Sequence, residues 1–262
     1  MACKEFPIIE SLEERQHLSA SIAHFAGGKV IVTAKRSDDA ITVGLNENQQ
    51  LMNVTVNGVT RAFGRADIRS LMVNGGAGND TITIDESNGL LGVPALIRGG
   101  PGNDVIHGGV EDDRIYGDAG NDIITGGEGT DRLDGGPGND NLTGGGGFDL
   151  IFGAAGDDVI SGLAGNDTIN AGPGANFVDA GDGNDFVIGG RQNDTILGGA
   201  GNDILNGGAG SDTILGGDDD DKILGGPATD SLVGGLGDDT IIGGGGADAI
   251  DGGPGANVIR AK

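Results

Sequence analysis

From Gly99 to Arg260 the chain repeats itself every nine residues, eighteen times, with no insertion or deletion. The first copies read GGPGNDVIH (99–107), GGVEDDRIY (108–116) and GDAGNDIIT (117–125), and the last reads GGPGANVIR (252–260). One further copy, GGAGNDTIT (75–83), stands apart. Position six is Asp in 16 of the 18 contiguous copies, the exceptions being Asn176 and Asn257. Position eight is Ile, Leu or Val in all 18, and position four is Gly in 14, with Glu111, Gln192, Asp219 and Ala228 departing. A period this strict means that each copy is one structural unit, stacked on its neighbours to make a continuous core.

Each position has a physical role. Gly at positions one, two and four permits positive φ and close approach of backbones, as a tight turn requires. Positions seven to nine suit a very short strand, in which alternation sends the eighth side chain inward and its neighbours outward. Two nonapeptides, one for each side, make one coil, so the eighteen copies make nine coils. At ~4.8 Å between stacked strands the array is roughly 40 Å long.

Composition decides between this coil and its competitors. Gly is 57 of 262 residues, yet it does not fall at every third position and Pro is only 7, which excludes a collagen helix. An acidic, Gly-rich chain can also be disordered, but disorder gives no reason to hold an aliphatic residue in phase all the way from Gly99 to Arg260. The net charge is −25. Residues 99–260 carry 29 acidic against 5 basic residues, whereas 1–98 are nearly neutral. A strongly anionic array repels nucleic acid and anionic membrane surfaces and attracts cations.

The pattern GGxGxDxUx, with U aliphatic, resembles the RTX (repeat-in-toxin) nonapeptide, also called the haemolysin-type calcium-binding repeat. The resemblance covers 75–83 and 99–260 and implies an all-β fold: a right-handed parallel β-roll, or β-solenoid, of two nonapeptides per coil. It also implies Ca²⁺ between successive turns on both edges, held by Asp carboxylates and main-chain carbonyls from turns two repeats apart. Such hard oxygen donors are what Ca²⁺ takes.

On this sequence the implied ligands form two ladders. One runs Asp104, Asp122, Asp140, Asp158, Asn176, Asp194, Asp212, Asp230, Asp248; the other runs Asp113, Asp131, Asp149, Asp167, Asp185, Asp203, Asp221, Asp239, Asn257. Nine rungs leave eight gaps on each edge, hence up to about sixteen Ca²⁺ ions. Asp80 lies further before Asp104 than one regular coil, and frames one more site if the chain bulges there. Sites next to the uncharged Asn176 and Asn257 are expected to be weaker, and the four residues that replace the position-four Gly are expected to strain their turns. Without a cation the stacked carboxylates repel, by ~3 kcal/mol per neighbouring pair at an effective dielectric of 20. Binding is therefore expected to be coupled to folding, near the 10⁻⁴–10⁻³ M typical of extracellular modules.

The chain divides by composition into an N-terminal segment (1–25), a β-rich region (26–98) containing the isolated repeat 75–83, and the 99–260 array. Alternating runs at 29–35, 40–43, 52–59, 68–73 and 96–97 predict an N-terminal β-rich cap of wider, degenerate coils, since a solenoid end needs covering. A small separate β domain is the alternative. Asn57-Gly58 signals a turn. Residues 8–24 read as a short helix. Within them Leu12-Glu-Glu-Arg15-Gln-His-Leu18-Ser-Ala20 resembles the LExRxLLSA motif near the start of many secreted planctomycete proteins, with His17 in place of Leu.

No catalytic residue is expected. HExxH, G-x-S-x-G and P-loop motifs are absent, and the histidines are His17, His24 and His107. Cys3 is the single cysteine, so no internal disulfide can form. No apolar run reaches the ~20 residues of a membrane span. No cleavable signal peptide is visible, and the RTX resemblance suggests type I secretion, although the chain stops two residues after its last repeat. The reading is a non-catalytic extracellular protein, secreted or on the cell surface, with a structural or adhesive role. Its rival is a binding module that self-associates or docks a cell-surface partner through outward apolar positions: Leu197, Leu215 and Val233 on one face, Leu224 and Ile242 on the other. Ice binding would need Thr rows at position three, where no copy has Thr.

Overall fold

The computed structural model describes residues 21–25, 28–35 and 37–261. Its strands form two 13-stranded sheets that the chain visits alternately, so that strands adjacent in a sheet belong to successive coils. Within the array every pairing is parallel and steps by two nonapeptides: Ile115 lies beside Leu133, Leu133 beside Ile151, and on the other sheet Ile124 beside Leu142. The molecule is a parallel β-solenoid, as the nine-residue period requires.

The strands are longer than positions seven to nine. Arg114–Ala119 and Ile123–Glu128 each run from position seven to position three of the next copy. Both position eight and position one then face inward, in the burial alternation expected of a strand. The aliphatic residues at position eight, from Ile106 to Ile241, form a single buried file between the sheets. Position one is Gly there, or Ala at 171 and 180, because little room is left for anything larger.

Position-one Gly is needed for space rather than for positive φ. A Cβ on Gly99 would overlap the Asp104 carboxylate and crowd the Gly117 carbonyl, and Gly99 itself has no positive φ. Positive φ belongs to positions two and four, as at Gly100 (113°) and Gly102 (147°). Of the four residues that replace the position-four Gly, Asp219 alone keeps positive φ (74°). The turns at Glu111, Gln192 and Ala228 adopt ordinary φ, so the strain expected of them is absent.

Toward the N-terminus the coils widen. Lys29–Thr33 and Ala40–Leu45 pair in parallel with Ser70–Asn74 and Thr81–Asp85, so that Val30 lies beside Leu71 and Ile41 beside Ile82. The next coil is shorter, placing Val73 beside Ile97 and Ile82 beside Ile106. The extra length of the widest coil is an antiparallel hairpin, Leu51–Val56 and Val59–Gly64, laid against Ala40–Leu45. Its turn is Asn57-Gly58, both at positive φ (49° and 78°), the backbone a two-residue hairpin favours. The N-terminal runs thus continue the sheets of the array and share its core through Val30, Val32, Ile41 and Val43. Ser21–Phe25 is a strand antiparallel to Lys29–Thr33, where a helix was expected; pairing with a sheet edge outweighed the local helical pattern. The remainder of that expected helix, and the Leu12–Ala20 motif, lie outside the described residues.

Candidate metal centre

The two ladders occupy opposite edges of the solenoid. Position-six residues of one ladder stand where the chain crosses from the first sheet to the second, just before strands such as Val105–Gly109. Those of the other stand at the return crossing, before strands such as Arg114–Ala119. Each Asp is turned inward: Asp104, Asp113, Asp122 and Asp131 are 1–3% exposed, and the remaining ladder aspartates up to Asp239 are equally buried. Asp248 is half-buried, as is Asn257.

The two carboxylate oxygens have different surroundings. Oδ1 accepts the main-chain N–H of the position-six residue one coil earlier. Asp104 N–H donates to Asp122 Oδ1 (2.8 Å), Asp122 N–H to Asp140 Oδ1 (2.8 Å) and Asp113 N–H to Asp131 Oδ1 (2.8 Å). The chain of bonds runs through Asp149, Asp158, Asp167, Asn176, Asp185, Asp194, Asp203, Asp212, Asp221, Asp230, Asp239, Asp248 and Asn257 without a break. Oδ2 is buried and has no hydrogen-bond partner in Asp80 or in any ladder aspartate except Asp113. A buried acceptor without a partner costs roughly 1–3 kcal/mol, and more when it is charged. One such atom would be a local defect; the same atom repeated along both edges is a row of acceptors that could hold cations.

The neighbouring oxygens support this. Asp104 Oδ2 and the Gly117 carbonyl converge on the space a Cβ on Gly99 would fill, and Asp158 Oδ2 meets the Ala171 carbonyl against Gly153 in the same way. Among the described residues no group of three or more His, Cys, Asp or Glu side chains is placed to hold a metal. The oxygens that converge here, carboxylates and main-chain carbonyls, are hard donors of the kind that suits Ca²⁺ and not a nitrogen- or sulfur-seeking metal.

The electrostatics agree. Burial, reinforced by the carboxylates of Asp122 and Asp80 on either side, pushes the Asp104 carboxyl up to about 7, against the lowering effect of the Asp80 N–H. Asp131, Asp149, Asp203 and Asp221 are likewise raised to about 7, with burial the main cause. Asp122, Asp140, Asp158, Asp185 and Asp194 are raised to about 6. Such raised values mean that ionising these carboxyls in the coil is costly, a cost that a nearby cation offsets.

The family model of the RTX calcium-binding nonapeptide repeat matches residues 72–85 and, in six abutting or overlapping blocks, 98–259. The chain belongs to this family. RTX repeats bind Ca²⁺, the ion to which the oxygen donors on both edges of this solenoid are suited. A search of curated proteins found no match.

Asp80 joins its RTX ladder. The Asp80 N–H donates to Asp104 Oδ1 (2.7 Å), so this longer coil bulges outside the edge and leaves the rungs in register. Three features of the ladders are not legible from the repeat pattern. The rung before Asp80 is Asp39, 2% exposed, whose N–H donates to Asp80 Oδ1 (2.7 Å) from a segment without the repeat's glycines. The rung before Asp113 is Ala95, whose N–H donates to Asp113 Oδ1 (2.7 Å) but which brings no carboxylate. Position five forms an outer ladder of opposite sense: Asn103 N–H donates to Asn79 Oδ1, Asn121 N–H to Asn103 Oδ1 and Asn139 N–H to Asn121 Oδ1. The Asn at position five in many copies was the available signal for that last feature. His107 is exposed on the outer face of its strand, away from either ladder.

Proposed function

We propose that this RTX chain is a non-catalytic, extracellular Ca²⁺-binding β-roll in which ions fill the gaps between successive rungs and so drive coiling. The ligands are the carboxylates of Asp80 and of the ladder aspartates from Asp104 to Asp248, with main-chain carbonyls of the turns. Up to about sixteen gaps are available, with 99–260 as the roll and 26–98 as its cap. The observation that carries this reading is the buried Oδ2 without a partner, repeated along both edges. Millimolar free Ca²⁺ is found outside cells, which favours a secreted or surface location and a structural or adhesive role. Among the described residues no helix is long and apolar enough to cross a membrane. Isothermal titration at pH 7.5 tests the reading: many Ca²⁺ ions bound per chain, with Mg²⁺ failing to compete at equal concentration, is the expected result. Binding of one or two ions would contradict it.

A second reading is self-association. Leu163 and Leu215 are 50% and 40% exposed, and with Leu197 they line a shallow groove on the outer face of one sheet. Light scattering with and without Ca²⁺ separates the readings, because docking through this face needs the coiled state and gives a calcium-dependent dimer.

A further inference from the structure

Two rungs in these ladders are Asn, and their side chains are bonded differently from the aspartates whose Oδ2 has no partner. Asn176 Oδ1 accepts the Asp158 N–H (3.0 Å), the bond an Asp Oδ1 makes at other rungs. That fixes the other terminal atom, Nδ2, at the place where an Asp carries its unpartnered Oδ2. Nδ2 donates there to two carbonyls of its own turn, Gly174 (3.1 Å) and Gly172 (3.3 Å). At Asn257 Oδ1 likewise accepts the Asp239 N–H (2.8 Å), and Nδ2 again donates to two carbonyls of its own turn, here the position-one Gly252 (2.7 Å) and the position-two Gly253 (3.1 Å). Asn176 is 3% exposed, so no water is needed to complete either atom.

We infer that the Asn176 amide is a covalent stand-in for a cation, so that the turn 172–176 is closed without Ca²⁺ and takes none. This rests on the proposal that ions fill the Asp-lined gaps. A carboxylate oxygen among turn carbonyls makes a pocket of acceptors only, which a cation must neutralise. An amide nitrogen supplies two N–H donors at the same spot, satisfies the carbonyls directly and leaves no net charge. The carbonyls that would otherwise turn toward an ion are already engaged. Its effect is to divide that edge into two blocks of charged rungs, Asp80–Asp158 and Asp194–Asp248, joined by a rung whose order does not depend on Ca²⁺. The other edge is continuous from Asp113 to Asp239. As free Ca²⁺ falls, the turn at 172–176 keeps its hydrogen bonds while the turns on either side lose their ions.

The test is a crystal of the full chain grown with Ca²⁺, or with Tb³⁺ in its place, and located by anomalous scattering. The expected result is metal in turns closed by Asp on both edges and none in the turn 172–176. Metal at 172–176 would overturn this inference while leaving the wider proposal intact, and absence of metal from every turn would overturn both. Asn176→Asp provides a second readout: at least one additional ion per chain by equilibrium dialysis, and density appearing at 172–176. An unchanged ion count in a folded Asn176→Asp variant would also overturn it, and if that variant fails to fold the wild-type density still decides.

Discussion

At the scale of the residue, one side chain does two jobs with two oxygens. Oδ1 of each ladder Asp ties one coil to the previous one through a main-chain N–H, and in the proposed function Oδ2 takes the cation. Replacing Asp140 by Asn preserves the first job and removes the second. One or two fewer ions per chain, since this rung borders two gaps, with the coiled state retained at saturating Ca²⁺, are therefore expected from titration and circular dichroism of Asp140→Asn. The raised carboxyls also make protons competitors of calcium. A carboxyl raised to about 7 or 6 in the coil, as at Asp104 and Asp122, favours the metal-free coil fully only below its ordinary value near 3.8. That contribution is lost as pH rises through 6–7. The metal-free chain should accordingly gain β structure as pH falls from 7.5 toward 4, and the half-saturating Ca²⁺ concentration should rise over the same interval. Far-UV circular dichroism in EDTA and Ca²⁺ titrations at several pH values check both. Positions six and eight were legible because carboxylate and aliphatic chemistry repeat there. Asp39 was not, because its turn reads Ala34-Lys-Arg-Ser-Asp-Asp39 and carries none of the glycines by which such a turn is recognised.

At the scale of the element, the strand is short and its partners supply the order. A typical strand of the array, such as Arg114–Ala119 or Asn141–Gly146, buries two residues, one aliphatic and one Gly or Ala, so its stability comes from stacking. Leu142, 0% exposed, packs in the middle of the aliphatic file. Leu142→Ala should lower stability in saturating Ca²⁺ by about 2–5 kcal/mol, read from the denaturant midpoint. The turns permit the opposite test. Leu163 holds φ at 76° while its side chain is half in solvent. Leu163→Gly should raise stability by roughly 0.5–1 kcal/mol, the left-handed penalty of ~1–2 kcal/mol less the added freedom of the unfolded chain. The period gave the element spacing directly. It did not give the strand length, since position one looks like a turn glycine and is in fact an inward strand residue. Nor did it give the outer Asn ladder, which depends on how turns stack and not on any one turn.

At the scale of the molecule, the chain is a column of charge that needs a column of counter-charge. The two wider N-terminal coils carry the same two sheets past the last recognisable repeat. Their parallel alternating runs were visible in the sequence. Their pairing partners were not, because a hairpin at 51–64 and a bulge after Asp85 interrupt the count that reveals register. With 29 acidic against 5 basic residues, the metal-free 99–260 array repels itself along its length, while residues 1–98 are nearly neutral. The most direct test of ion-driven coiling is a Ca²⁺ titration in which bound ion and far-UV circular dichroism are measured on the same samples. The β signal and bound Ca²⁺ should rise together, with a half-point near 10⁻⁴–10⁻³ M and many ions per chain. Full β structure in EDTA at pH 7.5, unchanged as the ions bind, would contradict it.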